Sequence, residues 1–409
     1  MTPDSPALEI AGVTLDELPA EVTERLERDR KGHTKPCLTN LIHILHLDPA
    51  YQDRLWLDVF RRRVMLDGAP ITDEDETALN FDLSQRYGIG PSTRLVGEAV
   101  RYVARERQRH PVQEYLSELT WDQVERTPHW LEDHLGAEGT AFVRAVAKRF
   151  LIAAVARIID PGCKVDTTLV LQGPQGIGKS QAFAALAGRE WFSDSPIDFG
   201  TKDAFQNLPG VWFYELAELD SLRRSESSAI KAFLSAQVDH YRPSYGRNTV
   251  DVPRQNVFVG TTNEAEFLRD PTGSRRFWPV AVDTANVDGI RASRDQLWAE
   301  AMVRYHQGEE WWLTPDEEHA RIAASEPYRA VDAWEEPIRR WLEDHVEPFT
   351  IDALLSGALG KETARHETRD AMRAAGVLSR LGLSKKRVRV EGVRRVLWAA
   401  WDAVDGGAA

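Results

Sequence analysis

Residues Gly173-Pro174-Gln175-Gly176-Ile177-Gly178-Lys179-Ser180 satisfy the pattern Gly-x-x-x-x-Gly-Lys-Ser/Thr in full. The chemistry open to that pattern is the holding of a triphosphate. Glycines let the backbone curl until successive N–H groups face phosphate oxygens, and a helix opening after the loop adds the partial positive charge of its N-terminus. Lys179 is expected to reach the β and γ phosphates and Ser180 to ligate magnesium, with Gln181 beside them in the first helical turn. The cofactors implied are ATP and Mg2+.

Hydrolysis asks for more: a carboxylate to hold magnesium and polarise water, a group that senses the γ-phosphate, and a cation for developing charge. Glu215 ends an apolar strand-like run, and Glu218 follows three residues later, so a helical turn would bring both to one side. One would hold magnesium through water and the other act as base, unless Glu218 is only a surface or capping acid. Asn263 ends the run NVFVGTTN, where its amide could orient the attacking water or merely form a turn. Arg275 and Arg276 follow Asp270-Pro-Thr-Gly and precede another apolar run. Either could serve a neighbouring subunit's ATP as an arginine finger, the bland alternative being a salt-bridged surface pair.

Two further groups of cations suit nucleic acid. Lys231, Arg242 and Arg247 interleave with Tyr241 and Tyr245 between the two central strands, which suits a DNA strand. It would equally suit a structural hairpin whose cations serve Asp239 and the glutamates. Near the C-terminus, Arg380, Lys385, Lys386, Arg387, Arg389, Arg394 and Arg395 gather around one acid, Glu391, and are expected to touch phosphate.

These residues need elements to position them. TTLVLQG before the loop is a short apolar run of strand length, and KSQAFAALAG after it reads as a helix closed by Gly188. Further strands are expected at 211–216, 255–263 and 275–282, with a helix at 226–237 and a closing helix from Gln296, then a short apolar turn. Alternating strands and helices imply an α/β sheet. The expected organisation is a partly disordered lead-in over 1–35, a small mixed α/β and helical region over 36–125, a P-loop ATPase unit over 126–330, and a C-terminal unit over 331–409. The last has helices followed by a hairpin, which is winged-helix-like. Trp121, Trp130 and Phe150 are expected as core anchors.

Composition sets outer bounds. A chain of 409 residues exceeds the roughly 250–300 at which single cores stop growing, so two or three folding units are expected. No stretch approaches the roughly 18 apolar residues of a membrane span. The N-terminus lacks the basic and apolar regions of a signal peptide, so export is not indicated. Cys37 and Cys163 are the only cysteines, expected as small buried hydrophobes in a reducing cytoplasm. The net charge of −13 argues against a surface coated by nucleic acid yet allows a local basic groove. Asp58 and Asp67 are isolated and read as turn or cap residues rather than the paired metal carboxylates of a polymerase or primase.

The blocks HPVQEYL, ARIIDPGCKVDTTLVLQGPQGIGKS, ELAEL, KAFLS with DHYRPSYGR, VFVGTTNEAEFLRDPTGSRRFWPV and QLWAEA with GEEWWL occur in this order between about His110 and Pro315. In them the chain resembles the virulence-associated E proteins of phages, plasmids and genomic islands, which are related to superfamily 3 helicases within the AAA+ class. The resemblance implies an α/β AAA+-like core that forms a homo-oligomeric ring, a hexamer, in the bacterial host's cytoplasm and opens or moves along DNA for replication. It makes 173–180 the Walker A loop, Glu215 and Glu218 the Walker B carboxylates, Asn263 the sensor, and Arg275 or Arg276 the finger. Residues 231–247 would be the motif directed toward single-stranded or forked DNA. Walker B departs from the usual adjacent Asp-Glu pair, leaving the division between the two glutamates open. No primase motif is present, so priming would fall to a separate partner. The competing reading is an ATP-gated DNA-binding regulator or assembly factor without unwinding activity. A small-molecule phosphotransferase is disfavoured, since kinases need no arginine from a neighbour.

Overall fold

The computed structural model of the protein describes residues 18–199, 201–217, 227–243, 248–264, 274–328, 332–345, 347–390 and 393–400. Its first part is α1 (Ala20–Arg25), α2 (Leu38–Leu47), β1 (Leu55–Asp58), β2 (Arg63–Leu66), β3 (Ala69–Pro70), α3 (Asp73–Tyr87), α4 (Thr93–Glu106) and β4 (Gln108–Arg109). The strands form one sheet in the order β3-β2-β1-β4. Helix α3 begins in a reciprocal cap between Thr72 and Asp75, carries acids throughout its first turn, and ends at Gly88 in the left-handed conformation. On α4, Val96, Ala99, Val100 and Val103 recur at helical spacing and are fully buried with Leu41, Ile44 and Leu45 of α2.

Part of the expected lead-in is ordered. Val22 of α1 is buried in that cluster. The buried Asn40 accepts from the N–H of Glu27 at 2.8 Å and donates to the carbonyls of Glu27 and Lys35. An unpaired buried amide is costly, so this residue ties the segment down. Asp58 and Asp67 close turns, as their isolation implied: Asp58 accepts from the Arg61 N–H at 2.8 Å, and Asp67 pairs with Arg54.

Helices α5 (Pro111–Glu118), α6 (Trp130–Leu135) and α7 (Ala141–Ile159) follow. Trp130 and Phe150 are core residues, whereas Trp121 is half-buried and donates to the Val124 carbonyl. Helix α7 is apolar on nearly every face because it is enclosed on nearly every face. Its Arg157 is fully buried, bound to the carbonyls of Val165 and Arg254, and desolvation pushes its pKa down to about 10.

The central part comprises β5 (Thr168–Gln172), α8 (Lys179–Ala187), β6 (Phe192–Ser193), α9 (Lys202–Gln206), β7 (Phe213–Ala217), α10 (Ser227–Ser235), β8 (Val238–Tyr241), β9 (Val250–Pro253), β10 (Val257–Thr262), β11 (Phe277–Ala281), α11 (Val287–His306) and α12 (Pro315–Ser325). Five of the strands form a sheet in the order β11-β5-β10-β7-β6, each parallel to its neighbours. The protein is therefore a mixed α/β structure with a parallel sheet, covered on both faces. Leu169, Leu171, Phe213, Val257 and Val259 pack with Phe150 and Phe183 in one cluster. Val170, Tyr214, Leu216 and Phe258 pack with Phe233 and Leu234 in the other. The period of two along each strand divides these residues between the faces.

Four expectations shift. The strand expected from 275 begins at Phe277, leaving Arg275 and Arg276 in a 3-10 turn. Helix α11 begins at Val287 rather than Gln296, capped by the Asn286 side chain on the N–H of Gly289. Helix α12 stands beyond the expected turn. Its signal was in the sequence: Thr314 and Glu317 cap each other and Pro315 occupies the first helical position. Cys37 and Cys163 are half-buried rather than buried.

The C-terminal part is α13 (Glu335–Glu343), α14 (Ile351–Leu359), α15 (Thr368–Arg380) and the antiparallel pair β12 (Ser384–Val390) and β13 (Val393–Ala399). Ile338, Leu354, Leu355, Val377, Leu378 and Trp398 form its cluster, and Phe349 bridges to Trp398 through the backbone. Among the described residues no helix is long and apolar enough to cross a membrane.

Candidate functional site

Strands β5, β7 and β10 end at the same edge of the sheet, and in open parallel sheets ligands bind outside the carboxyl ends of the strands. The turn after β5 contains Gly176 at φ 82° and Gly178 at φ 99°, conformations that favour glycine. Gly173 is needed for a different reason: a Cβ there would stand 2.1 Å from the Val282 carbonyl oxygen at the end of β11. Helix α8 then opens at Lys179 with Gly178 as N-cap, and no side chain caps its first N–H groups.

The two functional residues of that first turn are both engaged. Lys179 Nζ donates to the carbonyls of Gly173 at 2.7 Å and Pro174 at 2.8 Å, and to Asn263 Oδ1 at 2.9 Å. Burial pulls the Lys179 pKa below its ordinary value, partly opposed by the charge of Glu215. Ser180 Oγ donates to Glu215 Oε1 at 2.8 Å. Sheet order accounts for these meetings: β10 lies between β5 and β7 and pairs Thr262 with Gln172 and Val259 with Glu215. The fold thus brings Lys179, Ser180, Glu215 and Asn263 together from three sequence segments.

Glu215 is only 2% exposed, and its Oε2 is buried with no hydrogen-bond partner among the described residues, whereas Oε1 accepts from both Ser180 and Thr261. A buried carboxylate oxygen left without a donor is costly unless a cation or water completes it. The pair Ser180 and Glu215, all oxygen donors, fits a hard divalent ion such as magnesium. Among the described residues no group of three or more His, Cys, Asp or Glu side chains could hold a metal unaided.

Beside the loop runs a cleft of about 890 Å³ lined by Ser180, Gln181, Ala184, Phe192, Arg291 and Arg294, among others. Its α11 wall was absent from the sequence reading, because helix spacing alone does not say which helix flanks the loop. Thr261 was also passed over. Its signal was its place two residues before Asn263, near the carboxyl end of β10.

Other candidates lie apart from this cluster. Arg276 is bonded to Ser235 Oγ at 3.1 Å and stands 3.9 Å from the Asp166 carboxylate, while Arg275 is exposed. Both precede Phe277, which pairs with Thr168 at the start of β5. Four strand steps, roughly 13 Å, separate that register from the loop end within one chain. Glu218, Tyr245 and Arg247 lie outside the described residues, as does the turn at Glu391-Gly392. Lys231 is half-buried on α10, and Arg242 is exposed just beyond β8. Strands β8 and β9 form an antiparallel hairpin. Its buried Asp239 pairs with the buried Arg254. On β12 the side chains of Lys385, Arg387 and Arg389 alternate with Lys386, so strand geometry divides the basic cluster between two faces.

Residues 116–330, just over half of the chain, match the family model described as the virulence-associated protein E-like domain. Among solved structures, the apo structure of the NrS-1 C-terminal region (305–718) superposes with a TM-score of 0.48 at 12% identity, covering 85% of this chain and 95% of that one. An A-form apo structure of the same region gives 0.44 at 12% identity, covering 84% and 95%. No curated protein matches the chain.

Proposed function

The chain belongs to the virulence-associated protein E-like family, and from that premise we propose that it is a P-loop ATPase of the AAA+ class that acts on DNA in replication of a mobile element. The observation that carries the reading is the meeting of Lys179, Ser180, Glu215 and Asn263 at the carboxyl edge of a parallel sheet, with one Glu215 oxygen unpartnered among the described residues.

The residues divide the work by position. The backbone of 173–178 and the uncapped start of α8 receive the phosphates, and Lys179 leaves its carbonyl acceptors for the β and γ oxygens. Ser180 and Glu215 would hold magnesium, which would supply screening of the phosphate charge. Asn263, released from Lys179, turns its amide to the attacking water. The cleft bordered by Ser180 and Gln181 is large enough for the rest of a nucleotide. Arg275 and Arg276 sit at the opposite edge of their own sheet, so an arginine finger at this site would come from a neighbouring copy in a ring. In the C-terminal part, helices α13 to α15 with the β12-β13 hairpin suit a winged-helix unit whose cations meet phosphate.

The test is hydrolysis by purified protein with and without DNA. Wild type should release phosphate faster with DNA, and Lys179→Ala should lose ~100-fold or more of the rate. An unchanged rate in Lys179→Ala would remove the site assignment. Strand displacement on a forked substrate separates a helicase from an ATP-gated DNA-binding regulator, for which DNA binding would persist without unwinding.

A further inference from the structure

We infer that Thr261 is a positioning residue for the metal-holding carboxylate, a role that rests on the reading of Glu215 just given. Thr261 sits on β10, the strand between the loop-bearing β5 and the glutamate-bearing β7. Its register partner on β7 is Ala217, two residues beyond Glu215, so the two side chains share a face as diagonal neighbours. The Thr261 hydroxyl donates to Glu215 Oε1 at 2.5 Å, and Ser180 Oγ donates to the same oxygen at 2.8 Å. Both donors converge on Oε1. Oε2 accepts from nothing among the described residues and is buried.

This asymmetry has a chemical consequence. A carboxylate on a flexible glutamate rotates about its last torsion, whose wells are broad. Two donors on one oxygen select one orientation and leave the other oxygen committed to an incoming ion or its water. When Ser180 turns toward the metal, it withdraws from Glu215, and Thr261 is then the donor that keeps the carboxylate aimed. Thr261 is only 8% exposed, so water is poorly placed to replace it. Groups that orient metal ligands in this way typically change affinity or activity ~10–100-fold when removed.

Thr261→Val preserves shape and strand preference while deleting the donor, and Thr261→Ser restores the donor. The measurement is equilibrium binding of a fluorescent ADP analogue at stepped Mn2+ and Mg2+ concentrations, with binding in EDTA as baseline. Phosphate release is followed in parallel. Thr261→Val should raise the metal concentration for half-maximal effect ~10-fold or more, with binding in EDTA unchanged. Thr261→Ser should lie within about threefold of wild type. An unshifted metal dependence in Thr261→Val, with wild type active, would overturn the role of Thr261 and leave the ATPase reading intact. Loss of nucleotide binding in both variants would overturn it too, by making Thr261 a packing residue. A wild-type protein that neither binds nor hydrolyses nucleotide would instead remove the reading beneath it.

Discussion

Replacing Asn263 with alanine should tighten nucleotide binding while slowing hydrolysis, because Asn263 holds Lys179 before nucleotide arrives. Among the described residues Lys179 has three acceptors at 2.7, 2.8 and 2.9 Å, and Asn263 supplies the only one from a side chain. A hydrogen bond to a charged group nets ~1.5–3 kcal/mol. Lys179 is 7% exposed but Asn263 is exposed, so water competes for the contact, and the two carbonyls remain after the substitution. The effect therefore falls just below that range, at about 0.7–1.4 kcal/mol, and ~1.4 kcal/mol corresponds to tenfold. Affinity for a slowly hydrolysed ATP analogue should rise by roughly three- to tenfold, read by fluorescence titration in magnesium. The hydrolysis rate should fall ~100-fold, as for other groups that orient reacting atoms in a buried site. Asn263→Asp supplies a charged acceptor, so it should hold Lys179 harder and weaken binding by about tenfold. An affinity that falls in step with the rate in Asn263→Ala would refute the competition between Asn263 and phosphate for Lys179.

Gly173→Ala should melt at a lower temperature than Gly176→Ala. The first drives a Cβ into the Val282 carbonyl at 2.1 Å, an overpacking of ~1–3 kcal/mol, whereas the second meets nothing within 4 Å and bears only the strain of φ 82°. Equal melting shifts by scanning fluorimetry would mean that the ends of β5 and β11 do not approach so closely. In DNA binding, Lys385→Ala combined with Arg387→Ala should reduce the slope of log affinity against log salt by about 1.4–1.8, since each phosphate contact contributes ~0.7–0.9. A slope equal to wild type would take these cations off the DNA.

What could be read from the amino acids was whatever local chemistry encodes. The strand-loop-helix around 173–180 was legible because glycine spacing, the apolar run before it and the Gly188 stop are near-neighbour signals. Asn263 was legible as the end of an apolar strand. Less legible were the elements whose signals are short or displaced. Strand β6 has two residues, and helix α12 announced itself only through the Thr314-Pro315 cap. The buried Asp239–Arg254 pair joins two ends of a hairpin, and periodicity carries no information about such partners.

The sequence by itself determined which residues could do the chemistry, because residue type and near-neighbour spacing set what a loop can bind. Only the tertiary structure decided which of them meet. Sheet order is a long-range property: placing β10 between β5 and β7 puts Asn263 against Lys179 and Thr261 against Glu215. The same parallel order places Arg275 and Arg276 before the amino end of β11, at least four strand steps from the loop.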